Sequence, residues 1–209
     1  MYIIQKKTIK LNDIEVIRLE DCQEHFELFK EIFLDPEIMK TTMSFDGEPA
    51  PNDECVLRAL FLERIKCNQV FDATISVIVK KNNHLAGLFL CKILDGNKQL
   101  EIGHYYKPSY FGSGISSLIG NYIIDEVFDN ICIDNFIGYI LIDNLSSQAI
   151  ALKNGFKLKK IIKKNNIYMC VYQKNKENTG IKIDYIKNIG YGSIKNYIIA
   201  QTEFMLSRL

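Results

Sequence analysis

Two rhythms of hydrophobic and polar positions run along this chain, and the switches between them lay out its elements. Asp13 to Arg18 alternates polar and apolar residues, the period of a half-buried strand. Leu28, Phe29, Ile32 and Phe33 then take helical spacing, and Asp35-Pro36 ends that helix because the residue before a proline is pushed out of the α region. A second helix is predicted over Asp53 to Lys66, capped by Asn52 or Asp53, with Val56, Leu57, Leu60, Phe61 and Ile65 as its apolar stripe. Ala73 to Lys80 and Leu85 to Leu94 read as a hairpin around Lys81-Asn82-Asn83-His84, and Gln99 to Tyr106 as a strand after the turn Asp95-Gly96-Asn97. Downstream, the pattern predicts a helix over Gly114 to Phe128, a strand over Phe136 to Ile142, a helix over Ser146 to Asn154 and a strand over Ile167 to Gln173. This order is an α+β pattern around one mixed central sheet. From about Glu177 it breaks: Asn178-Thr179-Gly180 and Gly190-Tyr191-Gly192 are punctuation, and Ser193 to Leu209 reads as a helix with Ile194, Ile198, Met205 and Leu209 partly on one face.

Bulk properties narrow the class. A chain of 209 residues buries a full core, and one domain with decorations fits it better than two domains. With 26 Lys+Arg against 25 Asp+Glu the formal net charge is +1, which argues against a nucleic-acid or membrane-surface binder. Cys22, Cys55, Cys67, Cys91, Cys132 and Cys170 form no CxxC pair and no Cys/His cluster at metal-ligand spacing, so they are expected to be reduced and mostly buried, with no metal. No run of about 18 apolar residues occurs, and Met1 to Lys7 lacks the pattern of a secretory signal, so a cytoplasmic location is expected.

Two segments carry candidate chemistry. In the first, Glu101 to Leu118, a strand passes through Ser109-Tyr110-Phe111-Gly112-Ser113-Gly114 directly into an amphipathic helix. Such a junction gathers unpaired backbone N–H groups and the positive end of a helix dipole, which suits a phosphate or pyrophosphate. Gly112 and Gly114 let the backbone approach an anion, and Ser116 and Ser117 offer hydroxyl donors in the first turn. Taken alone, a Gly-x-Gly turn also suits an ordinary strand-to-helix connection. The second segment, Asp143 to Phe156, holds a strand end at Asn144, a short helix, and Gly155 as its left-handed C-terminal stop.

In this order and spacing the two segments resemble the GNAT acetyltransferases, and within them the Rim-type ribosomal-protein N-terminal acetyltransferases. The first looks like the motif Q/R-x-x-G-x-G/A and the second like N-x-x-S…G-F, while Val16 to Leu19, Glu20-Asp21 and Leu28 to Met39 look like the family's first strand and helix. The resemblance covers roughly residues 13 to 173. It implies a three-layer α/β/α fold with a mixed, mostly antiparallel sheet and a GNAT domain over 1–176; residues 177–209 have no counterpart in it and read, from the break in the pattern, as a C-terminal helical appendage that packs on the core or on the partner of a homodimer. It implies acetyl-CoA as co-substrate, without a metal, and a primary amine as acceptor. By the resemblance, Phe111, Gly112, Ser113, Gly114, Ile115 and Ser116 cradle the pyrophosphate by their amides, Tyr105 and Tyr106 offer backbone bonds to the pantetheine arm, and Asn144 holds that arm from the other side. Ser109 stands where the family usually has Arg or Gln, and Ala151 where many members have a tyrosine acid. Ser147 matches a serine of the Rim-type branch, whose hydroxyl would hydrogen-bond the developing thiolate.

Amine acylation needs a base. Strand parity puts Glu101, Gly103 and Tyr105 on one face and Ile102 and His104 on the other, so without a bulge only one of Glu101 and His104 faces the cleft. Glu101 is preferred because the family often carries its base on this strand, and His104 is expected to be structural. His25 and His84 read as surface residues, and Tyr139, mid-strand beside the motif and within reach of the cleft, as core in preference to a cleft residue. Acceptors in view are a peptide or protein N-terminus, a polyamine or an aminoglycoside. An electronegative groove would favour cationic ones, and the sequence leaves open whether Glu20, Asp21, Asp46, Glu48, Asp53 and Glu54 converge to build it. The competing reading is a catalytically silent acyl-CoA-binding or interaction module. A Rossmann unit is disfavoured, since no G-x-G-x-x-G occurs and the flanking strands form antiparallel hairpins.

Overall fold

A computed structural model describes residues 8–41, 53–70, 75–94, 98–164, 166–176 and 191–207. Its elements are β1 (Thr8–Leu11), β2 (Ile14–Arg18), α1 (Gln23–Leu34), α2 (Pro36–Lys40), α3 (Glu54–Val70), β3 (Ile75–Lys81), β4 (His84–Leu94), β5 (Gln99–Tyr106), α4 (Ile115–Asn130), β6 (Asn135–Leu141), α5 (Leu145–Lys153), β7 (Lys157–Lys164), β8 (Ile167–Asn175) and α6 (Tyr191–Leu206). They form one sheet of order β1-β2-β3-β4-β5-β6-β8-β7, antiparallel except at β5–β6. The two strands that the periodicity missed, β1 and β7, are the two edges of this sheet. Edge strands carry charge and bury little, so Lys-Leu-Lys-Lys-Ile-Ile-Lys-Lys gives no clean alternation.

The sheet separates two apolar cores. On one face α4, α5 and α6 pack through Ile119, Ile123, Val127, Leu152, Ile194 and Ile198 against Phe89, Phe136 and Tyr172. On the other, Phe29, Ile32 and Phe33 of α1, Ile38 of α2 and Leu57 and Phe61 of α3 pack on Ile78 and Leu88. The arrangement is the expected α/β/α sandwich with a mixed sheet.

Local chemistry sets the helix ends. Asp35 ends α1 in an extended conformation and caps α2, its carboxylate accepting from the N–H groups of Glu37 (2.8 Å) and Ile38 (3.1 Å). Asp53 caps α3 through Cys55 and Val56. Leu57, Phe61 and Ile65 form the buried stripe of α3, whereas Val56 faces outward at 43% exposure. The helix read near the C-terminus belongs to the core, since Ile194 and Ile198 are fully enclosed. Asp46, Glu48, Asn52, Ala73, Asp95-Gly96-Asn97, Asn178-Thr179-Gly180, Gly190 and Leu209 lie outside the described residues.

Three sequence expectations are corrected here. His25 is buried, not at the surface: its Nδ1 accepts the Glu20 N–H at 3.1 Å, and burial lowers its pKa. Tyr139 is 41% exposed, because its side of β6 lies opposite the α4 layer and outside both apolar cores. Cys22, Cys55 and Cys132 are exposed, and only Cys91 and Cys170 among the described cysteines are buried.

Candidate functional site

Two strand-to-helix junctions meet at the middle of the sheet. The first leaves β5 through a short 3-10 turn, Pro108–Tyr110, and enters α4. Gly112 and Gly114 have φ of +71° and +78°, where an L side chain is strained. A Cβ at either would meet nothing within 4 Å, so the backbone conformation and not crowding selects glycine there. Inside the turn the Phe111 N–H donates to the Pro108 carbonyl (3.0 Å) and the Ser113 N–H to the Tyr110 carbonyl (3.2 Å). Two of the amides expected to face an anion therefore have partners within the turn. No side chain caps α4, so the first-turn amides of Ile115, Ser116 and Ser117 keep the open geometry of a free helix start. Ser116 Oγ is buried with no hydrogen-bond partner among the described residues, and Ser117 Oγ donates to Asn154 Oδ1 at 2.7 Å.

Beside this turn the sheet comes apart. β5 and β6 pair only at Gln99–Asn135, Leu100–Phe136 and Glu101–Ile137, although β5 runs on to Tyr106 and β6 to Leu141. Beyond Glu101 the backbone edges of Ile102–Tyr106 and Gly138–Leu141 face one another without a ladder among the described residues, and such edges bind an extended ligand by main-chain hydrogen bonds. β5 runs in unbroken register against β4, so no bulge alters its parity. Glu101 sits at the last paired position, half-buried, on the side of Tyr105 and the α1–α3 layer. The Tyr105 ring lies 5.2 Å from Phe33, and burial pushes its phenol up to about 12, with Arg64 opposing and Glu101 adding to the rise. His104 points to the opposite, α4-side face, 6.1 Å from the Tyr106 ring, and burial pushes it down to about 4. Tyr106 fits because Gly87 on β4 lacks a Cβ, which would collide with the Tyr105 carbonyl oxygen and the Tyr106 ring.

The second junction, from β6 into α5, is closed by a side chain. Asn144 Oδ1 accepts the Ser147 N–H (3.0 Å), while its Nδ2 donates to the Thr41 carbonyl (2.8 Å) and so ties α5 to the end of α2. Ser147 is half-buried in the first turn. The helix ends in paired reverse bonds, Phe156 N–H to the Ala151 carbonyl and Gly155 N–H to that of Leu152, with Gly155 at φ +84°. Two residues that sequence reading passed over hold this frame. Gln148, fully buried, donates to the Ile142 and Leu141 carbonyls and accepts the Tyr172 hydroxyl at 3.0 Å. Asn154 bridges to Ser117 and approaches α4 closely enough that a Cβ at Gly120 would lie 2.5 Å from its Nδ2. Their signal in the sequence is only a polar residue inside an apolar helix pattern.

Three of the carboxylates considered for an acceptor groove have partners of their own. Asp21 pairs with Arg58 (2.6 Å), Glu54 with Lys30 (3.5 Å), and Asp53 caps α3. Among the described residues no cluster of three or more His, Cys, Asp or Glu suits a metal ion, and no helix is long and apolar enough to cross a membrane.

The arrangement has known counterparts. A family model described as "Acetyltransferase (GNAT) domain" matches residues 16–157. No curated protein matches. Among solved structures, a RimL ribosomal L7/L12 alpha-N-protein acetyltransferase in complex with coenzyme A superposes with TM-score 0.69 at 20% identity, covering 80% of this chain and 97% of its own. A microcin C7 self-immunity acetyltransferase, MccE, in complex with acetyl-CoA and AMP gives 0.69 at 23%, covering 82% and 98%. The ribosomal-protein-S5-alanine acetyltransferase of Vibrio fischeri gives 0.68 at 15%, covering 82% and 97%. At these identities the likeness is one of fold.

Proposed function

The chain belongs to the GNAT acetyltransferase family, and on that premise we propose that it moves an acetyl group from acetyl-CoA to a primary amine by direct attack in a ternary complex, in the cytoplasm. One observation carries the reading: the uncapped start of α4 lies beside the point where β5 and β6 part. An orphaned Ser116 hydroxyl and two glycines at positive φ at that helix start suit a bound pyrophosphate. The amides of Gly112, Gly114, Ile115, Ser116 and Ser117 hold the pyrophosphate, and the freed backbone edge at Tyr105 and Tyr106 holds the pantetheine arm, while Asn144, its carboxamide bonded to Ser147 and Thr41, shapes the other side of the cleft without gripping the arm. When bound, acetyl-CoA supplies an acetyl group activated as a thioester.

The residues around it have separate tasks. Glu101 accepts the proton that the amine loses, directly or through water, as its nitrogen bonds to the acetyl carbon. Ser147 donates a hydrogen bond to the sulfur as the carbon–sulfur bond breaks, and solvent reprotonates the thiolate. His104 is neutral at pH 7 and on the far face of β5, so it takes no part. Holding amine and thioester in line supplies up to about 7–11 kcal/mol, and a positioned base typically another 10²–10⁴-fold in rate.

The test is a calorimetric titration with acetyl-CoA, followed by a panel of peptide and small amines monitored by CoA thiol release. Saturable binding with release above the hydrolysis background supports the reading, and Glu101→Gln should then lower kcat by about 10²-fold or more while acetyl-CoA still binds. Absence of saturation at millimolar cofactor sinks it.

A further inference from the structure

The chemistry above draws on the main chain of Tyr105 and leaves its phenol unused. The ring lies on the α1–α3 side of the sheet, 5.2 Å from Phe33 and packed on the core there. Phenylalanine would make the same contact, so packing does not account for the hydroxyl. Gly103 shows where that hydroxyl points. A Cβ at Gly103 would lie 3.3 Å from the Tyr105 hydroxyl oxygen and 3.4 Å from its Cε2, so the ring leans back along β5 over Gly103, towards Glu101. A glycine inside a strand marks a close approach, and here the approaching group is the phenol.

Glu101, Gly103 and Tyr105 alternate onto one face of β5, all half-buried, from the last β5–β6 pair into the stretch where the ladder has ended. The hydroxyl over Gly103 therefore stands one two-residue step, roughly 7 Å, from the Glu101 backbone. One nitrogen bridges such a span between carboxylate and hydroxyl with two hydrogen bonds of about 3 Å each. Burial pushes the phenol up to about 12, and the nearby Glu101 charge adds to the rise, so the hydroxyl stays neutral. Neutrality matters to an amine nucleophile. A second carboxylate would stabilise the ammonium form, which has no lone pair for attack, whereas a hydroxyl oxygen accepts an N–H without that effect.

We propose that the Tyr105 hydroxyl is the second hydrogen-bond acceptor for the attacking nitrogen, so that the site selects primary over secondary amines. The inference rests on the amine-acylation reading above. A primary amine carries two N–H bonds. One proton passes to Glu101 as the nitrogen bonds to the acetyl carbon, and the other N–H points at the Tyr105 oxygen; no covalent bond to Tyr105 forms or breaks. A secondary amine has a single N–H, gives it to Glu101, and sets its alkyl group against the hydroxyl in place of a donor.

The experiment compares Gly-Ala-Ala-Ala amide with its sarcosine-led counterpart, which differs by one methyl group on the terminal nitrogen, and benzylamine with N-methylbenzylamine, in wild type and Tyr105→Phe. CoA thiol release with acetyl-CoA gives kcat/KM, and calorimetry on the CoA complex gives acceptor binding without turnover. Wild type should prefer the primary amine of each pair by about tenfold or more. Tyr105→Phe should cost the primary amines roughly two- to tenfold in kcat/KM and the secondary ones less, so that the preference shrinks. A hydroxyl that only supported the fold would slow both members of a pair equally, and the cycle of variant against substrate separates the two cases. No preference in wild type, or an unchanged preference in the variant, overturns the role of Tyr105 and leaves the chemistry. Selective binding of the primary amine that weakens in Tyr105→Phe, without turnover, leaves the contact standing and removes the chemistry. If neither pair binds or reacts, both are overturned.

Discussion

The two strand-to-helix junctions solve the same problem in opposite ways. Each helix start presents backbone N–H groups that its own turns do not use. At α5 the Asn144 carboxamide fills the place and also ties the helix to Thr41, so the junction is a structural joint. At α4 two glycines turn the chain through the left-handed region and no side chain follows to cap the amides. A helix start becomes a ligand site when the sequence withholds its own cap, and the difference between the two is one side chain.

Installing that side chain should have the largest effect. Gly114→Asp has room for its Cβ, and aspartate tolerates the left-handed region better than most residues. Its carboxylate would cap α4 and repel a pyrophosphate, so acetyl-CoA affinity should fall by about 100-fold or more, with the melting temperature unchanged or raised. Gly114→Asn, which caps without charge, should cost about tenfold or less. Calorimetry on both variants separates occupancy from repulsion, and equal losses would mean that the α4 start is not the anion site.

The strand feeding the open junction also carries a titration that the other lacks. His104 is held near a pKa of about 4 by burial, against an ordinary value of 6.5. Below pH 6.5 the unfolded chain takes up a proton that the folded chain refuses until about pH 4, so stability falls as pH drops through that window. The loss should be on the order of 2 kcal/mol. Melts of wild type and His104→Gln at pH 7.5, 6, 5 and 4.5 isolate it, because the variant removes this histidine while the carboxylates and His25 stay common to both. Parallel curves would refute the burial.

Asn144→Ala should act on the fold first. Losing the cap costs about 0.5–2 kcal/mol, a drop of roughly 2–4 °C per kcal/mol in a chain of this size. The lost tie to Thr41 adds to it, whereas acetyl-CoA affinity should change less than in Gly114→Asp. A reversed order, with binding lost and melting unmoved, would make Asn144 the anchor for the ligand and the comparison of the junctions wrong.

What could be read in advance follows the range of the forces involved. The glycine turn, the helix that Asp35-Pro36 ends, the helix that Asp53 caps and the Gly155 stop were legible because each depends on a few adjacent residues. Strand parity also placed Glu101 and His104 on opposite faces of β5, since no bulge intervenes. The edge strand β7 was not, because its lysines mask the alternation that burial would have imposed. Nor were Gln148 and Asn154, whose partners Tyr172 and Ser117 lie 24 and 37 residues away. His25 misled because a buried imidazole bonded to one nearby N–H looks, in sequence, like a helix surface.

The smallest effect should come from Ser147, and it separates the two tasks of the closed junction. Its main-chain N–H belongs to the cap, whereas its hydroxyl is proposed to serve the sulfur. Ser147→Ala keeps the N–H and removes only the hydroxyl. A neutral hydrogen bond contributes about 0.5–1.5 kcal/mol net, so kcat should fall roughly two- to tenfold while melting temperature and acetyl-CoA affinity hold. Because the bond would strengthen only as charge develops on sulfur, the loss should appear in kcat and equally in kcat/KM for the amine. A rise in KM with kcat intact would instead mean that the hydroxyl binds the acceptor, and the junction that closes its own helix would then also help to choose the substrate.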